Sequence, residues 1–530
     1  MIQISEISVP LDFREDYLKN ISAKILGLQK KDIAHIEIIK KSTDARKKNN
    51  IHFSFTIAVT VLDDEDEVVK RCPYENVSIA CPYIYEMPKT RFFNKRPIIV
   101  GSGPSGLFCA LILAECGANP IIIERGKMVD ERMADINEFS KSALLDENSN
   151  IQFGEGGAGT FSDGKLTTNI KDTRIKKVLA EFVKAGAPRE ILYESKPHIG
   201  TDNLSQVIKT IRKHITALGG EFRFSTLFKG FSAESNKIKS AAFKNLSDQT
   251  EYELDCEHLV LAIGHSARDT YELLFTKRLQ MEQKAFAIGA RIEHSQRSVN
   301  LAQHGALGSH KALGAAEYKL AISTMDSRGC YTFCMCPGGQ VVAAASEAGC
   351  LTVNGMSNYA RDGQNANSAL LVGVTQSDFG NEHPLSGMYL QRSIEKSAYS
   401  AGGGNYKAPA QLVGDFLLKR ESKKIRSIQP SYPLGITLGS IDSCLPPYVT
   451  KIMRVAITEM NKKLNGFSFP DAILTACETR SSAPLRILRD ITMQSSTRGI
   501  FPIGEGAGYA GGIMSAAVDG IKCAEMLLSI

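Results

Sequence analysis

Three glycines in the run VGSGPSG, at Gly101, Gly103 and Gly106, have the G-x-G-x-x-G spacing with which a strand turns into a helix around a dinucleotide pyrophosphate. The apolar strand PIIVG precedes them, the helix SGLFCALILAECG follows, and a second apolar strand ends in Glu124 and Arg125. That context strengthens a motif that is weak alone, and a bare strand-to-helix turn is the bland alternative. Gly101 permits the tight turn, Gly103 lets backbone approach a pyrophosphate, and Gly106 lets helix and strand pack closely. Pro104 and Ser105 open the helix, whose unsatisfied N–H groups and partial positive charge face the phosphates. Glu124, with Arg125 beside it, is expected to accept hydrogen bonds from both hydroxyls of an adenosine ribose and to disfavour a 2′-phosphate there. This turn alone would serve FAD or NAD.

A second glycine-rich turn decides between them. In IFPIGEGAGYAGGIMSAAVDG, near the end of the chain, a strand ends in Gly504 and Glu505, and a helix begins near Gly511, Gly512 and Ile513. A flavin dinucleotide carries a ribityl chain and a three-ring head, so it needs a polar contact well beyond the pyrophosphate. Glu505 suits a ribityl hydroxyl, and the helix N-terminus suits the flavin N1 and C2 carbonyl, where negative charge gathers on reduction. A plain NAD-dependent dehydrogenase leaves this second turn without a purpose. Between the two turns, NIQFGEGGAGTFSDGKLTTN is expected to lie along the isoalloxazine: Gly156, Gly157 and Gly159 admit close main-chain approach, and Ser162, Thr167 and Thr168 offer hydroxyls. Thr160, Lys165 and Leu166 count as contacts there, as do Ala262 and Gly264 after the strand HLVLAIG. A mobile surface loop is the competing reading of the 150–169 segment.

Groups that could move electrons or protons are fewer. Cys330, Cys334 and Cys336 in CYTFCMCPGG admit thiol redox chemistry, structural or pocket-lining roles, or metal ligation, the last without C-x-x-C support. Strand spacing would put Cys334 and Cys336 on one face with Met335 opposed. In AFAIGARIEH, Arg291 and Glu293 share a face and His294 opposes them; Glu478, Arg480, Arg486 and Arg489 cluster in CETRSSAPLRILRD. Arg480 suits an anionic substrate or the charge on reduced flavin, against inter-domain ion pairing as the alternative. His198 and His265 are candidate proton donors, against ordinary structural histidines. No metal site is expected. No second G-x-G-x-x-G lies between 180 and 480, which leaves a nicotinamide at most a transient visit as electron donor.

The elements that must position these groups fall into four stretches. Residues 1–95 read as strand, helix, strand, strand, an α+β unit of ferredoxin-like type. Residues 96–284 hold the βαβ pattern of an α/β Rossmann-like nucleotide-binding domain, and 476–530 return to complete it. Residues 285–475 lack βαβ order, as an inserted α+β substrate or cap domain would. In the first unit, Lys40, Lys41, Arg46, Lys47 and Lys48 lie together, opposed by the acidic run DDEDE; a solvated loop and an RNA or anionic-partner site are the two readings.

The totals exclude several classes. The chain has 530 residues, 43% hydrophobic and 23% charged, with a formal net charge of +6, too little for a global pull toward nucleic acid or anionic membrane. No apolar run is long enough for a membrane span, and the acidic opening residues do not suit a secretory leader, so a cytoplasmic protein is expected. The twelve cysteines then read mostly as reduced core residues.

Taken together, VGSGPSGLFCALILAECG, LVLAIGHSA and FPIGEGAGYAGGIMSAAVDG resemble the FAD-binding fold of glutathione-reductase-type flavoproteins. NIQFGEGGAGTFSDGKLTT, KPHIGTDNL, AIGHSARDT and TFCMCPGG, with STDARKK in the first unit, resemble more closely an FAD-dependent dehydrogenase family of bacteria and plastids. The resemblance covers nearly the whole chain. It implies FAD as cofactor, one Rossmann-like domain with a substrate domain as in the p-hydroxybenzoate-hydroxylase branch, and hydride transfer between flavin N5 and a small-molecule substrate. Many flavoproteins of this fold carry Asp where Glu505 stands, so the ribityl role transfers with a longer side chain. The alternative is an FAD-binding protein acting as an RNA- or protein-binding module through its basic first domain.

Overall fold

The computed structural model describes residues 1–14, 16–323 and 328–530. At the N-terminus, strands Ile33–Asp44, His52–Val61, Ile2–Val9 and Val77–Ile79 form one sheet in that order, every pair antiparallel. With helices Tyr17–Leu26 and Glu65–Arg71 this is the β-α-β-β-α-β order of the ferredoxin-like fold. Alternation puts Ile2, Ile4, Phe53, Phe55, Ile57 and Val59 on the buried face. The acidic run starts the second helix: Asp64 accepts from the Glu67 N–H at 3.0 Å, and acids in the first turn suit its positive end. Part of the basic stretch is engaged within the chain. Lys41 pairs with Glu194 at 2.7 Å and exchanges backbone hydrogen bonds with Tyr193 and Ser195; Lys48 donates to the Ala302 carbonyl and Arg46 pairs with Asp44.

The nucleotide-binding sheet is parallel, in the order Ile500–Pro502, Leu259–Leu261, Ile98–Val100, Ile121–Ile123, Glu221–Arg223. The inner strands are short and wholly apolar because both faces are covered, one by helices and the other by the antiparallel sheet of Thr226–Glu234, Lys237–Asn245 and Glu251–Asp255 with helix Arg268–Thr276. One edge strand comes from the far end of the chain, so residues near 500 complete a sheet begun near 98. Helices Pro104–Glu115 and Ile513–Ser529 pack directly together, and a Cβ at Gly520 would collide with the Ser105 carbonyl. That close approach places the two glycine-rich turns side by side.

The intervening region is built on a seven-stranded sheet: Ala321–Ser323, Gly329–Cys336, Asn365–Val374, Phe286–Ser295, Ile473–Glu478, Ala408–Leu412, Ile436–Leu438. Helices Ser386–Ala401 and Pro447–Lys463 pack into its core through residues such as Ile394, Ala398, Met453 and Ile457. A domain boundary at 475/476 falls inside the strand Ile473–Glu478, which stays with this sheet because its partners Phe286–Ser295 and Ala408–Leu412 are here. Strands Met281–Gln283 and Leu485–Ile487 pair where the chain enters and leaves the region. Among the described residues, no helix is long and apolar enough to cross a membrane.

Candidate functional site

The parallel strands point their C-terminal ends into a cavity of about 870 Å³. Gly101, Gly103, Pro104 and Ser105 line one part, and Glu505, Gly511, Gly512 and Ile513 line another. Both flanking helices have glycine at the N-cap and no side-chain cap, so their first N–H groups remain free for a ligand. A Cβ at Gly103 would find nothing closer than 3.8 Å, and one at Gly511 or Gly512 nothing within 4 Å, so these glycines border open space. Gly101, Gly106 and Gly504 are different: a Cβ there would strike Ala262, Gly101 or Ser105, respectively. Gly106 and Gly504 lie off the cavity wall, and their part is to let backbones pack rather than to touch a ligand. Gly504 is further tied by its N–H to Asp519 at 2.7 Å, and Asp519 is held by Arg489.

Glu124 lines the cavity but is already engaged. Its carboxylate accepts four hydrogen bonds, from the Ser102 N–H and hydroxyl and from the Gly126 and Gly154 N–H groups, at 2.8–3.0 Å. Four is about the capacity of a carboxylate, so Glu124, besides lining the cavity, clasps three loops together around the first turn. Beside it, Arg125 lies 4.4 Å over the Phe153 ring and pairs with Asp269, and Thr226, Phe228 and Thr270 extend the same wall. Ala262 and Gly264 line the cavity as well.

The 150–169 segment is locked in place. Arg132, fully buried, donates to the carbonyls of Asn150, Ile151, Glu155 and Gly157, and Arg212 pairs with the buried Glu155. A guanidinium with five donors suits carbonyls that would otherwise be orphaned. The segment brings Gly157, Gly159, Ser162, Asp163, Lys165, Thr167 and Thr168 to the cavity. Gly156, Thr160 and Leu166 do not reach it. The Gly156 N–H bonds the Ser102 carbonyl, the Thr160 hydroxyl bonds the Glu155 carbonyl, and Leu166 joins the hydrophobic core, so these three are scaffold rather than contact. Burial opposes ionisation of Asp163, but Lys165 and Arg361 outweigh it and hold the carboxyl below its usual range.

The cap sheet forms another wall, through Thr332, Phe333, Cys334, Met335 and Glu478, joined by Tyr318 and Arg480 from the segments flanking its strands. Burial pushes the Glu505 carboxyl up to about 7, against the Gly512 N–H it accepts at 3.3 Å and the nearby Lys284. Burial likewise lifts Glu478 to about 7, with Arg291 acting against it at 3.1 Å. Glu293 is buried on the same strand and accepts from Ser431 and Asn365, while His294 opposes it and bonds the Phe467 carbonyl. Arg480 is an anchor: it grips Glu395 with two nitrogens and also bonds Ser266 and Ser346. Glu395 takes Arg268 of the nucleotide-binding domain in the same way, so the ion-pair reading of Arg480 describes the contacts present. Arg486 pairs with Glu282 at the surface.

The histidine expectations are corrected. His265 lines the cavity, but burial, with Arg480 and Arg268 close by, lowers it to about 3, so it stays neutral near pH 7 and holds no imidazolium proton to give. His198 lies off the wall, bonded to the Tyr359 carbonyl at 3.0 Å and stacked on its ring. The cysteine geometry is corrected too. Cys330 is buried in the core and Cys336 behind the wall, while a bulge between Phe333 and Cys336 turns Cys334 alone to the cavity. Arg132, Asp163, Lys284, Arg361 and Asp519 were not singled out from sequence, since each is recognisable only by partners distant in the chain.

Open backbone at three glycines, two uncapped helix N-termini and an acid by the second turn together fit a flavin dinucleotide stretched between the turns. Similarity to known proteins agrees. Residues 96–283 match the family model "FAD binding domain", residues 285–481 match "FAD-dependent protein, C-terminal domain-like", and residues 1–60 match a domain of unknown function. A Clostridium beijerinckii protein described as "Uncharacterized protein" is 48% identical over 531 residues, covering 99% of this chain and 98% of the relative. Among solved structures, the flavin-dependent brominase Bmp2 is 11% identical, with 82% of this chain and 79% of that chain covered and a TM-score of 0.38. A geranylgeranyl bacteriochlorophyll reductase-like protein from Thermoplasma acidophilum is 11% identical, with 82% and 78% covered and a TM-score of 0.35.

Proposed function

Because the chain belongs to the same family of FAD-dependent proteins as its Clostridium beijerinckii relative, with FAD as its cofactor, we propose that it is an oxidoreductase acting by hydride transfer on a small-molecule substrate. Bound FAD supplies the hydride-accepting and hydride-donating centre, at N5 of its isoalloxazine. The observation that carries the reading is the single cavity that runs from the GSGPSG turn, past the closing turn, to the wall made by the cap sheet.

In this reading the chain's own groups divide the work. The free N–H group at Ser105, at the open end of its helix, holds the pyrophosphate, and those following Gly512 face the ring edge where negative charge develops. Glu505 holds a ribityl hydroxyl, and its carboxyl, lifted to about 7, can keep or release a proton near neutrality. Thr332, Phe333 and Glu478 bound the substrate side, with Phe333 offering an apolar face and Glu478 a second group that titrates near neutrality. The Arg268–Glu395–Arg480 clamp keeps the cap sheet seated over the nucleotide-binding domain, which keeps water out of the space between them.

The test is anaerobic photoreduction of the purified holoprotein followed by a panel of quinones, enones and carbonyl metabolites. The reading expects at least one compound to restore the oxidised flavin spectrum with turnover that saturates. A reduced flavin that dioxygen alone reoxidises, while every compound leaves it bleached, contradicts hydride transfer to a small molecule.

A further inference from the structure

We propose that Cys334 is a covalent binding site of the cavity, a nucleophilic sulfur that adds to the carbonyl-activated double bond of a small ligand such as an enone or a quinone. The inference goes beyond hydride transfer, because the sulfur–carbon bond forms without any exchange of electrons with the cofactor. It begins with backbone. Strand Gly329–Cys336 carries one extra residue between Phe333 and Cys336 relative to its partner strand, and Cys334 there has a φ of +42°. A non-glycine residue in the left-handed region is sparsely populated and persists only where its surroundings impose it. Here the bulge turns Cys334 out of the sheet toward the cavity and leaves Cys336 buried behind it.

The surroundings favour a thiolate. The Cys336 thiol donates to the Cys334 carbonyl at 3.3 Å, and its side chain, close to that of Cys334, is the largest influence lowering Cys334 while being raised itself. Burial acts against ionisation of Cys334, and Lys165 and Arg291 act for it. Both cations are fixed: Lys165 bonds the Met335 carbonyl and lies 3.3 Å from Asp163, and Arg291 donates to the Cys334 carbonyl at 2.8 Å and to Glu478. Asp163, Glu478 and Glu505 are the acids nearby; the first two are each matched by an arginine, and Glu478 and Glu505 are lifted toward neutrality by burial.

A second observation on the same wall points to a ligand oxygen. Tyr318 lines the cavity, and its hydroxyl is buried with no hydrogen-bond partner. The neighbouring Ser368 hydroxyl is already directed at the Phe333 and Ala369 carbonyls. A buried donor without a partner, on the lining of the same cavity as a soft nucleophile, suits a carbonyl-activated alkene: the carbonyl accepts from Tyr318 while the β-carbon meets the sulfur. The sulfur–carbon bond forms as the π bond breaks, the electron pair moves onto the carbonyl oxygen as an enolate, and the α-carbon then takes a proton from water.

N-ethylmaleimide is the probe, applied to the FAD-loaded full chain between pH 5 and 8, with N-acetylcysteine treated in parallel and adducts mapped by peptide mass. Retained flavin absorbance reports that the protein stays folded. At pH 6 Cys334 is expected to react about tenfold faster than the free thiol, since its larger thiolate fraction outweighs the lower intrinsic nucleophilicity. C334S is expected to lose that adduct and C336A to slow it several-fold. Labelling of Cys334 no faster than N-acetylcysteine, or only after denaturation, overturns the proposal. So does an ultraviolet thiolate titration in which wild type and C334S coincide below pH 7.

Discussion

At the scale of single residues, two kinds of glycine separate. Gly103 borders open space, with the nearest atom to a new Cβ at 3.8 Å, whereas Gly106 is walled in by backbone. Gly103→Ala is therefore expected to leave apo-protein stability within about 0.5 kcal/mol of wild type while weakening FAD binding at least tenfold. Thermal unfolding and FAD titration by fluorescence check the two halves separately. Glu505→Gln tests the second turn. It replaces a carboxyl that titrates near neutrality with an amide that does not titrate, and is expected to weaken FAD about tenfold. It also alters the pH dependence of the apo protein. A carboxyl raised from 4.5 to about 7 holds a proton that the unfolded chain releases, so stability declines as pH rises through that window. Denaturant unfolding of E505Q across the same window is expected to show a shallower decline. The spacing of these residues is local, which is why sequence alone identified both turns. Arg132, and the loop-clasping part of Glu124, were beyond it, since they depend on carbonyls and N–H groups brought to them by folding.

At the scale of elements, the pairing of helices Pro104–Glu115 and Ile513–Ser529 brings the two turns together. Gly520 makes that pairing possible, because a methyl there meets the Ser105 carbonyl. Gly520→Ala is expected to destabilise the protein by about 1–3 kcal/mol through overpacking and to loosen FAD as the turns move apart. Chemical denaturation and FAD titration of the same variant check it, and wild-type values for both would contradict this account of the helix pair. The βαβ elements were legible because short apolar strands alternate with helices. The bulge at Cys334 was not, since a period of two assumes an unbroken ladder and nothing in CYTFCMC marks the extra residue. The second ferredoxin-like helix was hidden for a similar reason: DDEDE reads as a charge run until Asp64 is seen as its cap.

At the scale of the whole molecule, the nucleotide-binding domain and the cap sheet are joined by Glu395, fully buried between Arg268 and Arg480. Both arginines hold its carboxyl far below the usual range despite burial. Such a group contributes stability above its unfolded value of 4.5, and that contribution fades as pH falls below it. Glu395→Gln leaves the buried Arg480 without a counter-charge and Arg268 with only Glu347 at 3.4 Å, and is expected to cost about 3–5 kcal/mol at neutral pH, with less difference from wild type in acid. Urea unfolding at several pH values reads this directly. The cap sheet was the least legible part, because its seven strands pair across long separations and its first strand in the order, Ala321–Ser323, is distant in sequence from its last.

The central claim is that turns near residues 101–106 and 504–513 hold one FAD between them. A crystallographic map of the FAD-loaded protein tests it most directly. The account predicts pyrophosphate density at the N–H groups following Gly103, ribityl density within hydrogen-bond reach of Glu505, and the ring edge at the N-terminus of helix Ile513–Ser529. Density that leaves Glu505 and that helix end without a flavin contact contradicts it.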